Sequence, residues 1–199
     1  RFFGDYATAV SEGCKNHFMR KFNLKEGFVK VIYNGVDAEL ENSTEVTFKR
    51  ENSKFVASVI GRLTEQKGHS VLIKAVSIMP DSVRNNLKIY FVGDGEKRSE
   101  LEKMAIEYDL KNHIEFVGYQ KDVYPYIMAS DFTILPSLWE GFGLSIVESY
   151  FCCKPVIGSN IGGIPELVID RVNGLLVPPG DHQAISEAIM FLINHRGLI

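Results

Sequence analysis

The sequence contains few of the residues that build disulfide-linked or metal-binding proteins. Only three of its 199 residues are cysteines, and two of these, Cys152 and Cys153, are adjacent. An odd cysteine count without Cys-x-x-Cys spacing argues against a disulfide framework, so we expect a reducing compartment and a cytoplasmic location. The five histidines are scattered without the spacing of metal ligands, and no Asp-x-Asp occurs, so no metal ion is expected.

Long apolar runs and an excess of positive charge are also absent. No charge-free stretch approaches the roughly 18 residues that a membrane-spanning helix needs, so no transmembrane segment is expected. The 22 lysines and arginines against 25 aspartates and glutamates give a net charge of −3, which excludes a general attraction to nucleic acid. Any cationic site must therefore be local. With 45% hydrophobic residues, the chain still has enough apolar material for a full core.

The sequence does contain an alternation of extended and helical patterns over almost its whole length. A buried-strand pattern at residues 55–61, for example, is followed by Leu72, Val76 and Met79 at helical spacing. Such alternation predicts an α/β fold, with a doubly wound parallel sheet of five or six strands. Residues 38–54 are polar and charged, which predicts a linker between a short βαβ unit and this sheet. We predict strands at residues 6–10, 29–37, 55–61, 87–93, 113–118, 132–137, 155–159 and 175–178.

Two basic residues lie in the loop that follows the predicted strand at residues 55–61. In this stretch, GRLTEQKG, Arg62 follows the strand and Lys67 precedes a helix. Ligands of parallel sheets bind at such loops, and the N–H groups of a helix N-terminus favour an anion. The pair therefore indicates a phosphate site. Two solvated surface cations, one of them paired with Glu65, are the alternative.

The stretch WEGFGLSIVES (residues 139–149) adds two glycines and two carboxylates. Gly141 and Gly143 let the backbone approach a ligand closely just before a helix, which suggests a second anion site and hence a grip on a diphosphate. A G-x-G alone is weak evidence, because a tight turn also explains it. Glu140 and Glu148 are eight positions apart, about 12 Å in a regular helix. This spacing suits hydroxyls on two rings that flank a diphosphate.

Glycoside hydrolysis is a rival use of two carboxylates. Glycosidases place an acid and a nucleophile or base about 5 to 9.5 Å apart. The sequence spacing does not exclude this function. Glycoside hydrolysis would leave Arg62, Lys67 and the glycine-rich helix start without a role, however, because a neutral glycoside needs no binding site for a diphosphate.

Five motifs in order carry a resemblance to a known family. They are YNGVD at residues 33–37, GRLTEQKG at 61–68, the two glutamates of 140–148, PVIGSNIGGIPE at 155–166 and NGLLVPPGD at 173–181. Together they resemble the retaining glycosyltransferases of family 4, which are group 1 glycosyltransferases with the GT-B fold of two facing Rossmann-like domains. The resemblance implies a hexosyltransferase of polysaccharide biosynthesis that uses a UDP, GDP or ADP sugar. It also implies a glycan or lipid-linked acceptor, retention of configuration, and no cofactor or metal.

The resemblance also implies roles for individual residues. Arg62 and Lys67 would hold the leaving diphosphate, Glu140 would contact hydroxyls of the donor sugar, and these three would be the catalytic residues. Glu148 would bind the ribose. The remaining substrate-binding positions, by sugar and phosphates or at the border of the base, would be Gly61, Gly141, Phe142, Gly143, Leu144, Val117, Gly118 and Tyr119.

The sequence departs from this family pattern in two ways. Cys153 occupies a position that is usually glycine in the family and that suits a left-handed helix cap. The amino-terminal acceptor domain is nearly absent: residues 1–45 would be its remnant plus the linker, and residues 46–199 the donor-binding domain. We therefore expect a fragment, ending short of the full domain, that binds donor but transfers poorly. Its intact form would be peripheral at the inner face of the membrane. A nucleotide-sugar epimerase and a non-catalytic binding module are the alternatives.

Overall fold

Two separate parallel sheets form in the part of the chain that the structure describes. The computed structural model describes residues 6–36, 54–195 and 197. Within these ranges, one sheet has two strands and the other has six. Most of the predicted linker and the predicted domain boundary between residues 45 and 46 lie outside the described residues. No helix in the described part of the chain is long and apolar enough to cross a membrane.

The first unit, called here the β1–α1–β2 unit, spans residues 6–36. It comprises β1 (Ala7–Ala9), α1 (Glu12–Phe22) and β2 (Val29–Val31), with β1 and β2 paired in parallel. The helix α1 begins where the Ser11 side chain accepts the N–H of Cys14, and it ends at Asn23, whose backbone is left-handed. The predicted βαβ unit is thus confirmed, although β2 is much shorter than residues 29–37.

The main sheet has six parallel strands in the order β5-β4-β3-β6-β7-β8. Its strands are β3 (Phe55–Ile60), β4 (Leu87–Val92), β5 (Ile114–Gly118), β6 (Phe132–Leu135), β7 (Val156–Ser159) and β8 (Gly174–Val177). Its helices are α2 (His69–Ser77), α3 (Asp81–Arg84), α4 (Arg98–Glu107), α5 (Tyr124–Ala129), α6 (Leu144–Phe151), α7 (Ile164–Leu167) and α8 (His182–Asn194). The six strands confirm the predicted parallel sheet.

Both faces of the main sheet are covered by helices. Ala57 and Val59 of β3 belong to a core that also contains residues of α2, α4 and α8. Val56 and Ile60, which alternate with them, pack on the opposite face with Ile127 of α5. Alternate residues of a strand point to opposite faces, so β3 is buried on both sides, as expected for a doubly wound sheet.

The strand order reverses between β3 and β6. The chain adds β4 and β5 on one side of β3, and then returns to add β6, β7 and β8 on the other side. Such a switch point leaves a crevice at the carboxyl ends of the two central strands, and ligands bind there in open α/β sheets. The loops after β3 and β6 therefore lie side by side.

The end of α6 contains the unusual cysteine. The helix ends at Phe151, and Cys153 has a φ of 55°, in the left-handed region. The expectation that this position suits glycine is thus confirmed. Left-handed backbone costs a residue with a Cβ about 1–2 kcal/mol, whereas glycine adopts it freely.

Cys153→Gly is therefore expected to raise the free energy of unfolding by about 0.5–1 kcal/mol, after allowance for the greater entropy of glycine in the unfolded chain. Urea unfolding measures the change. Cys153→Ala removes the thiol but keeps the backbone penalty, and it should leave stability nearly unchanged. Equal effects of the two substitutions would show that the thiol, and not the left-handed backbone, is responsible.

Candidate functional site

A cavity of about 440 Å³ opens at the switch point, and it is called here the switch-point cavity. It contains every predicted site residue except three. It is lined by Val10, Asn34, Ile60, Gly61, Arg62, Gln66, Lys67, Glu140, Gly141, Phe142, Gly143, Leu144, Ser145 and Glu148. The loop of residues 61–68 forms one wall and is called the cation loop; residues 140–143 form the other and are called the glycine loop.

The cation loop and the segment before the glycine loop are joined by two hydrogen bonds and one close backbone approach. The N–H of Leu138 donates to the carbonyl of Gln66 at 2.8 Å, and the Gln66 side chain donates to the carbonyl of Trp139 at 3.0 Å. Gly68 is left-handed, with a φ of 65°, and a Cβ at this position would overlap the carbonyl of Pro136. The cation loop therefore approaches the segment before the glycine loop too closely for any side chain at residue 68.

An ion pair crosses the switch-point cavity. Lys67 Nζ lies 2.5 Å from Glu140 Oε2, and the two side chains are only 18% and 10% exposed. The Glu140 carboxylate also accepts the hydroxyl of Ser137 at 3.2 Å and the N–H of Gly141 at 3.1 Å. Glu65, the alternative partner considered from the sequence, instead lies 3.6 Å from Lys97. Lys67 and Glu140 are thus fixed in one arrangement, although they are far apart in sequence.

Arg62 is the second cation of the switch-point cavity. Its side chain is exposed, and no carboxylate within the described ranges pairs with it. Opposite it, α6 begins at Leu144 after Gly143, whose φ is 96°. The first N–H groups of a helix have no intrahelical partner and carry partial positive charge. An unpaired guanidinium and a helix N-terminus facing one cavity form a site for an anion.

Glu148 belongs to α6, and it also lines the switch-point cavity. Its side chain is partly buried, and burial raises the pKa of its carboxyl above the usual value. No hydrogen-bond donor in the described part of the chain contacts this carboxylate. Burying an ionised group without a partner costs free energy, so a hydroxyl-bearing ligand at Glu148 would be stabilising.

Three predicted residues lie away from the switch-point cavity. Val117, Gly118 and Tyr119 lie at the end of β5, an edge strand that β4 separates from β3. Tyr119 is 76% exposed. Their contact with a base therefore remains a prediction.

Several residues that line the switch-point cavity were not predicted. Val10 and Asn34 come from the β1–α1–β2 unit, and Gln66 and Ser145 lie within motifs already noted. Asn34 belongs to the YNGVD motif, which was the available signal for it. Val10 has no sequence signal, because its position depends on packing between distant segments.

In the described part of the chain, no group of three or more His, Cys, Asp or Glu side chains is arranged to hold a metal ion. Arg62, Lys67 and the start of α6 supply positive charge at the switch-point cavity.

Comparison with known proteins identifies the family of this chain. The family model described as "Glycosyl transferases group 1" matches residues 41–198. An uncharacterized glycosyltransferase of Methanocaldococcus jannaschii is 34% identical over an alignment covering 100% of this chain and 54% of the relative. The UDP-Gal:alpha-D-GlcNAc-diphosphoundecaprenol alpha-1,3-galactosyltransferase of Escherichia coli is 31% identical, over 93% of this chain and 51% of the relative. The chain thus belongs to the group 1 glycosyltransferases.

A solved structure agrees with this family and with the fold. HepE of Anabaena, crystallised with UDP, is 29% identical and superimposes with a TM-score of 0.84 over 98% of this chain and 55% of HepE. Another structure contains HepE with UDP-glucose. The predicted α/β fold of the GT-B type is therefore confirmed. The chain spans about half the length of these relatives.

Proposed function

We propose that the chain binds a UDP-sugar in the switch-point cavity and forms the donor half of a retaining hexosyltransferase of family 4. The observation that carries this proposal is the convergence of Arg62, the Lys67–Glu140 pair and the start of α6 on one cavity. UDP is favoured over GDP and ADP because HepE, which is similar over nearly the whole chain, was crystallised with UDP.

The diphosphate lies between the cation loop and the start of α6 in this proposal. Arg62, which has no carboxylate partner in the described residues, binds the phosphates together with the N–H groups of Leu144 and Ser145. As the bond from the sugar to the diphosphate breaks, negative charge grows on the leaving group. Fixed cations and N–H groups stabilise that charge without reorganising, which lowers the barrier. No metal is needed in this mechanism.

The two glutamates bind the rings on either side of the diphosphate. Glu140, already held by Lys67 and Ser137, accepts hydroxyls of the donor sugar, and Glu148 accepts those of the ribose. The acceptor then attacks the anomeric carbon from the face that the diphosphate leaves, which retains the configuration. The family resemblance supports this last step.

In this proposal, the acceptor site belongs to the whole protein and not to the donor-binding domain alone. Residues 1–45 belong to the acceptor domain and its linker, and residues 46–199 form the donor-binding domain. The acceptor is a glycan or lipid-linked sugar, and the protein works in the cytoplasm, peripheral to the membrane. All three cysteines are free thiols, which agrees with a reducing compartment.

Product analysis of the full-length protein tests this function. With UDP-sugar and acceptor, a glycoside of the acceptor should form, with the anomeric configuration of the donor. Isomerised sugar without acceptor would instead identify an epimerase, and unchanged donor under all conditions would identify a binding module. Cleavage of an aryl glycoside without nucleotide would overturn the assignment in favour of a glycosidase.

Arg62→Ala is expected to raise the dissociation constant of UDP by about tenfold to a hundredfold, the effect of losing a charged hydrogen bond of about 1.5–3 kcal/mol. Isothermal titration calorimetry measures the change. Arg171→Ala is the matched control, because Arg171 lies beside β8 away from the switch-point cavity, and it should leave binding unaltered. Equal affinity of wild type and Arg62→Ala would refute the phosphate contact.

A further inference from the structure

Glu166, in α7, holds two separate segments of the β1–α1–β2 unit. Its carboxylate accepts the backbone N–H of Glu12 at 2.9 Å and that of Gly13 at 2.7 Å. It also accepts the hydroxyl of Tyr33 at 3.1 Å. Glu166 itself does not line the switch-point cavity. A single side chain of the main sheet region therefore receives three donors from the smaller unit.

Two of these donors are the first N–H groups of α1. Such groups have no partner within their own helix, and a carboxylate near them is stabilised by the partial positive charge of the helix N-terminus. Ser11 satisfies the N–H of Cys14, and Glu166 satisfies those of Glu12 and Gly13. The cap of α1 is thus shared between its own serine and a distant glutamate.

The start of α1 contacts the glycine loop directly. The hydroxyl of Ser11 donates to the carbonyl of Gly141 at 2.7 Å, and the Cys14 thiol donates to the same carbonyl at 3.4 Å. A Cβ on Gly13 would overlap the carbonyl of Gly162, and a Cβ on Gly162 would overlap that of Glu140. The position of α1 therefore fixes the backbone of the glycine loop.

The third donor, Tyr33, connects Glu166 to the switch-point cavity through a second set of contacts. Its ring lies 5.7 Å from the ring of Phe142, measured between centroids, and the next residue, Asn34, lines the switch-point cavity. The hydrogen bond to Glu166 is the main cause that raises the pKa of the Tyr33 hydroxyl above its usual value. This hydroxyl therefore stays protonated at neutral pH and remains a donor.

We propose that Glu166 is a positioning residue, which sets the glycine loop and Asn34 for donor binding by holding α1 and Tyr33, without touching the donor. This inference rests on the proposed function only where it predicts a change in the affinity for UDP. The coupling from Glu166 to the glycine loop is a property of the protein without ligand and can be measured separately.

Hydrogen exchange and calorimetry on the 199-residue protein test this coupling. Glu166→Ala should speed exchange of peptides covering residues 12–14 and, without ligand, of those covering residues 138–144. It should also weaken UDP binding by about threefold to thirtyfold, the range of couplings between sites that share a packed network. Glu166→Gln, which keeps an acceptor oxygen, and Tyr33→Phe, which keeps the ring, should give smaller effects.

Glu107→Ala is the matched control, because Glu107 is an exposed helix residue of α4. It should change neither exchange nor binding. Faster exchange at residues 12–14 with unchanged exchange at 138–144 would overturn the coupling and reduce Glu166 to a helix cap. If wild-type protein binds no UDP, the proposed function fails, and the exchange at residues 138–144 still decides the coupling. If Glu166→Ala does not fold, Glu166→Gln and Tyr33→Phe provide the same comparison.

Discussion

Lys67→Met is expected to weaken UDP binding by about a hundredfold or more, a larger loss than Arg62→Ala gives. In the proposed function, the substitution removes one of the two cations that bind the phosphates. It also leaves the Glu140 carboxylate, which is only 10% exposed, without its cation in the cavity proposed to accept the diphosphate. Truncating one partner of a buried, hydrogen-bonded ion pair typically costs about 2–5 kcal/mol, largely because the other charge stays uncompensated. Calorimetry with UDP measures the effect.

Two further variants separate the lost cation from the uncompensated carboxylate. Lys67→Met combined with Glu140→Gln should recover stability to urea and only part of the UDP affinity, because the unpaired charge is gone and the proposed phosphate contact of Lys67 is still missing. Lys88→Met is the matched control: Lys88 is 15% exposed and pairs with Glu115 at 3.1 Å on the strands β4 and β5. It should leave UDP binding intact. Full recovery of UDP binding in the double variant would contradict the role of Lys67 as a phosphate ligand.

Acid is expected to destabilise the protein through His69. Burial, reinforced by the nearby charge of Lys67, lowers the pKa of His69 to about 3, from 6.5 in the unfolded chain. Between these two values the unfolded chain binds a proton that the folded protein does not. The free energy of unfolding should therefore fall as pH drops below about 6.5, by up to about 1.4 kcal/mol per pH unit from this residue alone.

His69→Phe tests this acid sensitivity by urea unfolding at pH 7 and pH 5. The His69 ring is 1% exposed, neither of its nitrogens has a partner in the described residues, and it lies edge-on to Phe91 at 4.8 Å. A phenyl ring keeps the packing and removes two unsatisfied polar atoms, so stability at pH 7 should not fall much. The loss between pH 7 and pH 5 should shrink. Other titrating groups, including Glu148, contribute equally to the pH dependence of the wild type and the variant, so the difference between the two proteins reports on His69.

His182→Ala is the control for this experiment, because His182 is exposed on α8. It should keep the pH dependence of the wild type. If His69→Phe keeps it as well, the acid sensitivity arises elsewhere in the protein.

Much of the fold could be predicted from the sequence because it depends on local periodicity. Strands buried on both faces gave continuous apolar runs, and the main-sheet strands differ from prediction by one or two residues at their ends. Asp181 is the N-cap of α8, where its side chain accepts the N–H of Ala184 at 3.0 Å, a role that a local sequence signal can indicate because aspartate is preferred there. The short α7 begins at Ile164, and Pro165 lies in its first turn, where proline fits because its missing N–H would have no partner within the helix.

The arrangement of the candidate site was only partly predictable. Glycine and charge at strand ends indicated which loops matter, but the Lys67–Glu140 pair required knowing that β3 and β6 are neighbours. The contact of Glu166 with Glu12 links residues 154 positions apart, and no local pattern encodes it. The short 3-10 helix at Glu65–Lys67 was missed for a different reason, because three residues are too few to establish a period.

The glycine contacts between Gly13, Gly162 and the carbonyl of Glu140 limit how this protein could be redesigned. Any side chain with a Cβ at Gly13 or Gly162 would force these backbones apart, so neither position can be substituted in a search for a new sugar preference. Diversity has to be introduced where the cavity wall is made of side chains, above all at Gln66, Asn34 and Ser145. A library randomised at those three codons, with both glycines held constant, concentrates its variants among chains that still fold.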